Sequence, residues 1–122
     1  MKKMTNQEFN EIWRGKTKLF ALKVIELCDE LPHKESARII ARQLLRAATS
    51  VAANYRAACR GRSKPEYYSK ICIVVEEADE TQFWLELLQE SKLIEEKKLI
   101  PLLEEISEIL AVTTSIKNKL HP

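Results

Sequence analysis

Length, composition and charge limit what this chain can be. Its 122 residues suffice for one hydrophobic core but not for two, and 45% hydrophobic with 31% charged residues is typical of a globular domain. The net charge of +2 is too small to indicate a polyanionic partner by itself. No stretch approaches the ~20 apolar residues of a membrane span, and three cysteines without C-x-x-C spacing argue against a disulfide framework. We therefore expect one soluble, cytoplasmic domain over residues 1–122, with no membrane partner.

The first predicted helix follows a short lead-in segment. Apolar residues recur every three or four positions from Leu19 to Leu31, and Pro32 ends the run. Residues 1–15 are interpreted as a separate lead-in segment with its own short helix. We expect a break at Gly15, because glycine costs about 1 kcal/mol relative to alanine inside a helix.

The second and third predicted helices are delimited by capping residues. The second is expected to start near Ser36, a favourable N-cap residue, and to run through alanine-rich sequence to Arg60 and Gly61. The third is expected to open at Ser63, with Glu66 three residues further on, which matches the capping-box pattern.

The fourth predicted helix has the most regular apolar period. It runs from about Lys98 to Leu120, with Pro101 in its first turn, where a proline is tolerated. The one β-favouring run, residues 71–75, lies inside the period of the third helix and is therefore assigned to that helix. Long amphipathic helices joined by short connections predict an all-α fold, an antiparallel up-down four-helix bundle.

The second helix contains a family signature. Residues 42–54, RQLLRAATSVAAN, resemble the pattern Q-L-x-R-A-x-x-S-x-x-x-N of the four-helix-bundle proteins encoded in bacterial 23S rRNA intervening sequences. That family includes the accessory variability proteins of diversity-generating retroelements. The similarity extends from about Leu19 to Leu120 and includes FWLELL at residues 83–88.

The resemblance carries expectations about assembly and partners. It implies a bundle that often assembles as a ring-like homopentamer. For the retroelement members it also implies binding to nucleic acid and to a reverse transcriptase. Many relatives have N-x-x-E-G at the end of the signature, whereas Ala57 stands here in place of the glutamate. A role of that glutamate therefore cannot be transferred to this chain.

Arginines recur along one side of the second helix. At roughly 100° per residue, five of them fall within an arc of about 80° that faces away from the apolar side. They span about 33 Å at ~1.5 Å per residue, and a sixth follows in the next turn. We call this set the arginine stripe: Arg38, Arg42, Arg46, Arg56, Arg60 and Arg62. Because a guanidinium can bind a phosphate through two hydrogen bonds, the stripe is a candidate nucleic-acid site.

An acidic cluster on the third helix offers another use for the same arginines. In a head-to-tail ring, the stripe of one subunit could face Glu76, Glu77 and Glu80 of the next subunit. Two hypotheses follow. The first is a non-enzymatic, homo-oligomeric accessory protein that binds RNA or DNA backbone. The second is a protein interaction scaffold whose stripe serves subunit contacts.

No motif supports an enzyme, a cofactor or a metal site. A di-iron bundle needs Glu-x-x-His on two helices, but the histidines here are His33 in a predicted loop and His121 at the tail. The two glycines are isolated, so no glycine-rich phosphate loop exists. We therefore expect a protein without catalytic residues, metal or cofactor.

Overall fold

The chain forms four helices joined by short loops. In the computed structural model, which describes residues 3–121, these are α1 (Asn6–Asp29), α2 (Glu35–Cys59), α3 (Lys64–Ser91) and α4 (Glu96–Leu120). Each helix packs against the one that follows it in the chain, and α4 also contacts α1. The described residues contain no strand. The prediction of an all-α four-helix bundle is confirmed, while residues 1, 2 and 122 of the predicted domain lie outside the described residues.

The first helix is continuous, so the predicted break at Gly15 was wrong. α1 starts with a capping box in which Thr5 and Glu8 each accept a hydrogen bond from the other's backbone N–H. Trp13 and Thr17, on either side of the glycine, are buried against the bundle. Burial of this face outweighs the penalty of about 1 kcal/mol for a helical glycine. The lead-in segment from residue 6 onward is therefore the first part of α1.

Local capping explains where α2 and α3 begin. α2 starts at Glu35 with Lys34 in the N-cap position, so the predicted cap Ser36 lies within the first turn. At the start of α3, the Ser63 hydroxyl accepts a hydrogen bond from the Glu66 backbone N–H at 3.2 Å, as predicted. The Glu66 carboxylate accepts from the backbone N–H of Arg62 instead of that of Ser63.

The four helices share one core, in which α2 packs against both α1 and α3. Ala47 and Ala48 are fully buried, and their small side chains let neighbouring helices approach α2 closely. The Tyr55 hydroxyl donates a hydrogen bond to Asn10 Oδ1 of α1 at 3.3 Å. The largest fully buried residues come from all four helices: Phe20, Leu44, Tyr55, Ile71, Leu85, Leu88, Leu99 and Ile106. The opposite side of α2 is left in solvent, and it carries most of the arginine stripe.

Candidate nucleic-acid interface

The arginine stripe is exposed along its length, but its members have different partners. Arg38 forms an ion pair with Glu35 on its own helix, with Nη1 and Oε2 3.1 Å apart. Within residues 3–121, the side chains of Arg42, Arg56, Arg60 and Arg62 form no ion pair. Three of these four lie in or just after the last turns of α2, so the unpaired charge is concentrated at the C-terminal end of that helix.

Arg46 bridges α2 to α3. Its Nη1 lies 3.0 Å from Glu77 Oε2, and its Nη2 contacts Glu80 Oε2. The Trp84 indole N–H donates to the same Glu80 oxygen at 3.2 Å, which fixes the carboxylate from the other side. Arg46 faces away from the core, as the helical period predicts, but carboxylates of α3 compensate its charge. The buried alanines bring α3 close enough for the long arginine side chain to reach it.

The acidic cluster is therefore largely engaged within its own chain. Glu77, whose side chain is 19% exposed, and Glu80 both contact Arg46 of the same chain. Glu76 is exposed and forms no ion pair with any described residue. Of these three glutamates, Glu76 is therefore the one that can present a carboxylate without an ion pair among the described residues to a second subunit.

We expect Arg46→Gln to affect folding stability more than nucleic-acid binding. The substitution leaves Glu77 half-buried without its cation, and because Arg46 itself is half exposed the loss should be only about 1 kcal/mol. Urea unfolding followed by circular dichroism would measure it. Binding to RNA or DNA should stay within about twofold, since the Arg46 charge is already compensated. A large loss of binding without a loss of stability would contradict this assignment.

Two cations of α1 lie beside the stripe. Arg14 and Lys18 line a groove between α1 and α2 that also includes Arg56. Sequence reasoning missed them because it separated residues 1–15 from the first helix. On a continuous helix, residues four apart lie on the same face, so the spacing of Arg14 and Lys18 would have been the signal.

A second depression lies at the α2–α3 turn. Its lining includes Arg60, Arg62 and Lys70, with the Glu66 carboxylate as the countercharge, and its volume is about 470 Å³. Arg56 and Arg60 are one helical turn apart, so the two depressions border neighbouring turns of α2. We call this region the basic surface: Arg14, Lys18, Arg56, Arg60, Arg62 and Lys70.

The cysteine environments do not favour thiolate chemistry. Burial, aided by the charge of Asp29, raises the pKa of Cys28 to about 11. Burial also raises the pKa of Cys59, although the nearby Arg14 cation and a hydrogen bond with Tyr55 partly oppose the shift. Both groups are therefore neutral thiols at neutral pH, and the nucleophilic form of cysteine is suppressed.

The described residues provide neither a cluster of metal ligands nor a membrane-spanning helix. Within residues 3–121, no group of three or more histidine, cysteine, aspartate or glutamate side chains is arranged to hold a metal ion. None of the four helices combines the length and apolar character that crossing a membrane would require.

Comparisons with known proteins agree with the fold and with the signature in α2. The family model described as "23S rRNA-intervening sequence protein" matches residues 8–115. A crystal structure of a protein of unknown function from the S23 ribosomal protein family of Bacteroides thetaiotaomicron VPI-5482 superposes with a TM-score of 0.81 at 28% identity. The alignment covers 89% of this chain and 97% of that one. No curated protein matches the chain. With nearly all of α1 to α4 inside the matched region, the chain belongs to the family of 23S rRNA-intervening sequence proteins.

Proposed function

We propose that this protein is a non-enzymatic, homo-oligomeric accessory protein that binds the backbone of RNA or DNA through its arginine stripe, with the unpaired arginines of the stripe making the phosphate contacts. The observation that carries the proposal is the unpaired charge of Arg42, Arg56, Arg60 and Arg62 on one exposed face. Some lysines elsewhere on the bundle have carboxylate partners, as in the pairs Lys16–Glu108, Lys23–Glu105 and Lys98–Glu30. A net charge of only +2 is therefore compatible with a local excess of positive charge at the C-terminal end of α2.

The spacing of the unpaired arginines suits a phosphate backbone. Arg56 and Arg60 are separated by one helical turn, a rise of about 6 Å. A nucleic-acid strand places one phosphate every ~3.4 Å of helix axis, so the two guanidiniums can contact different phosphates. No aromatic side chain lines either depression of the basic surface. We therefore infer backbone binding without recognition of base sequence.

The scaffold alternative draws less support from the contacts. It places the stripe of one subunit against the acidic cluster of the next, but Glu77 and Glu80 already contact Arg46 in their own chain. Forming the intersubunit pairs would first require these contacts to break. Glu76 and the neighbouring Asp79 are exposed and form no ion pair among the described residues, but they offer only a small electrostatic gain, because an exposed ion pair contributes at most about 1 kcal/mol.

Assembly, location and a protein partner complete the proposal. The family resemblance favours a homopentamer and, if the protein acts as the retroelement members do, contact with a reverse transcriptase. The three cysteines without disulfide spacing favour a cytoplasmic location. Light scattering of the purified protein tests assembly directly, and a mass of 14.1 kDa, that of a single chain, would contradict it.

The proposed function predicts binding that weakens steeply with salt. Phosphate contacts release counterions, so the logarithm of the affinity should fall linearly with the logarithm of salt concentration. Three to four contacts should give a slope of about −2 to −4. Fluorescence anisotropy of a labelled oligonucleotide, titrated with protein at several salt concentrations, measures the slope. Absence of binding to RNA and DNA even at low salt would overturn the proposal.

A further inference from the structure

The groove between α1 and α2 is lined by charged side chains around three small residues. Its volume is about 490 Å³, within the roughly 300–1,000 Å³ range of ligand sites. Arg14, Lys18 and Arg56 supply three cations, against the single carboxylate of Glu11. None of these cations forms an ion pair within the described part of the chain. The floor is Gly15, Ala52 and Ala53.

Gly15 has no structural explanation within this chain. No glycine has a positive φ, so the backbone conformation does not require one here. A Cβ atom built on Gly15 would meet nothing within 4 Å, so no neighbouring helix requires the absence of a side chain. Glycine nevertheless destabilises a helix interior relative to alanine. The open space at this position is therefore available to something outside the chain that approaches the helix backbone.

We propose that a single strand of nucleic acid lies in this groove, with a phosphate at Gly15 between Arg14, Lys18 and Arg56. This inference rests on the proposed function and identifies where, and in which form, the backbone binds. The three unpaired cations favour an anionic ligand. Because no aromatic side chain lines the groove, bases have nothing to stack on, and the phosphates are the groups that the protein contacts. From Arg56 the strand can continue along α2 to Arg60 and Arg62.

The width of the groove favours a single strand over a duplex. The space between two packed helices cannot be wider than the separation of their axes, which is about 8–10 Å. A duplex is broader than its own major groove, which is about 12 Å wide. A duplex is therefore too broad to reach the floor between α1 and α2. It can contact only the tips of the arginine and lysine side chains, whereas one strand can enter the groove and approach Gly15.

The position of Arg14 supports a single continuous cationic site. Its charge acts on Tyr55 and on Cys59, opposing the rise that burial causes in the pKa of each. Arg14 also lines the same groove as Arg56, so it lies beside the C-terminal half of α2. Through Arg14, α1 adds to the charge of α2 at the end where the unpaired arginines are concentrated.

The test fills the groove without changing its charge. The probe is a fluorescein-labelled oligothymidylate of about 16 nucleotides, the upper site size of a single-strand-binding fold, and its duplex with oligodeoxyadenylate is the comparison. We expect Gly15→Leu to weaken binding of the single strand roughly tenfold, because one charge-assisted phosphate contact is lost. Ala53→Leu, on the α2 side of the floor, should have a similar effect. The duplex should bind more weakly than the single strand and respond little to either substitution.

Two matched variants control for bulk and for folding. Ala111→Leu adds the same kind of side chain at an exposed position of α4, outside the groove, and should leave affinity within about twofold. Gly15→Ala should raise the melting temperature, since the added methyl group meets open space and favours the helix. Melting temperatures at or above that of the wild type would show that Gly15→Leu is folded.

The outcomes separate this inference from the proposed function. If Gly15→Leu and Ala53→Leu bind like the wild type while charge reversal of Arg60 and Arg62 abolishes binding, the groove assignment is wrong and the proposed function stands. A duplex that binds as tightly as the single strand would overturn the single-strand assignment. If the wild type binds neither of these probes nor RNA at low salt, both proposals fail.

Discussion

Triple replacement of Arg56, Arg60 and Arg62 by glutamate is expected to abolish binding to RNA and DNA. These unpaired arginines form the exposed C-terminal part of the arginine stripe. Each loses a charge-assisted contact of about 1.5–3 kcal/mol and gains a repulsive charge, so the affinity should fall by at least about a hundredfold. Anisotropy titrations at low salt measure the loss. Any remaining binding should have a shallower salt slope, because fewer phosphates are neutralised.

A matched triple variant tests whether the location of the positive charge, and not only the net charge, determines binding. Lys34, Lys92 and Lys97 are exposed at the opposite end of the bundle, near the start of α2 and the α3–α4 turn. Their replacement by glutamate changes the net charge by the same amount, but the site lies well beyond the Debye length of about 10 Å from the basic surface. Affinity should therefore stay within about threefold of the wild type. Equal losses in the two variants would mean that net charge, and not the stripe, governs binding.

The helices could be predicted from the sequence because their causes are local. The apolar period of α4, the Ser63 cap of α3 and the proline after α1 each depend on residues a few positions apart. Gly15 was misjudged because its propensity is local while the burial that keeps α1 continuous is tertiary. Nothing in the spacing of apolar residues gives the magnitude of that burial.

The positions of the arginine stripe could be predicted from the sequence. Which of its arginines form ion pairs could not, because that depends on how the helices pack. Helical period places Arg46 and Arg60 on nearly the same face, so the sequence cannot distinguish them. Only the close approach of α3, allowed by Ala47 and Ala48, brings Glu77 and Glu80 within reach of Arg46. Arg60 lies at the end of α2, where no carboxylate pairs with it among the described residues. The same packing brings α1 and its two cations beside Arg56.

Mutations on the buried side of α2 should lower folding stability but not binding, and mutations on the arginine side should do the reverse. Leu44 is fully buried on the side opposite the stripe. Leu44→Ala should lower the free energy of unfolding by about 2–5 kcal/mol, the loss of buried methyl groups plus the cavity that remains. For a domain of this size, that corresponds to a fall of roughly 10–20 °C in melting temperature. Thermal unfolding followed by circular dichroism would measure it.

Nucleic-acid binding by Leu44→Ala should nevertheless be retained at low temperature. A stability of about 5–15 kcal/mol for a typical domain leaves most molecules folded after such a loss, and the substitution touches no residue of the basic surface. The triple arginine variant should show the converse, with an unchanged melting temperature and lost affinity, because exposed substitutions usually alter stability by less than about 0.5 kcal/mol. If the affinity of Leu44→Ala fell in proportion to its stability even where circular dichroism shows it folded, binding would depend on the core. The separation of the two faces of α2 would then be wrong.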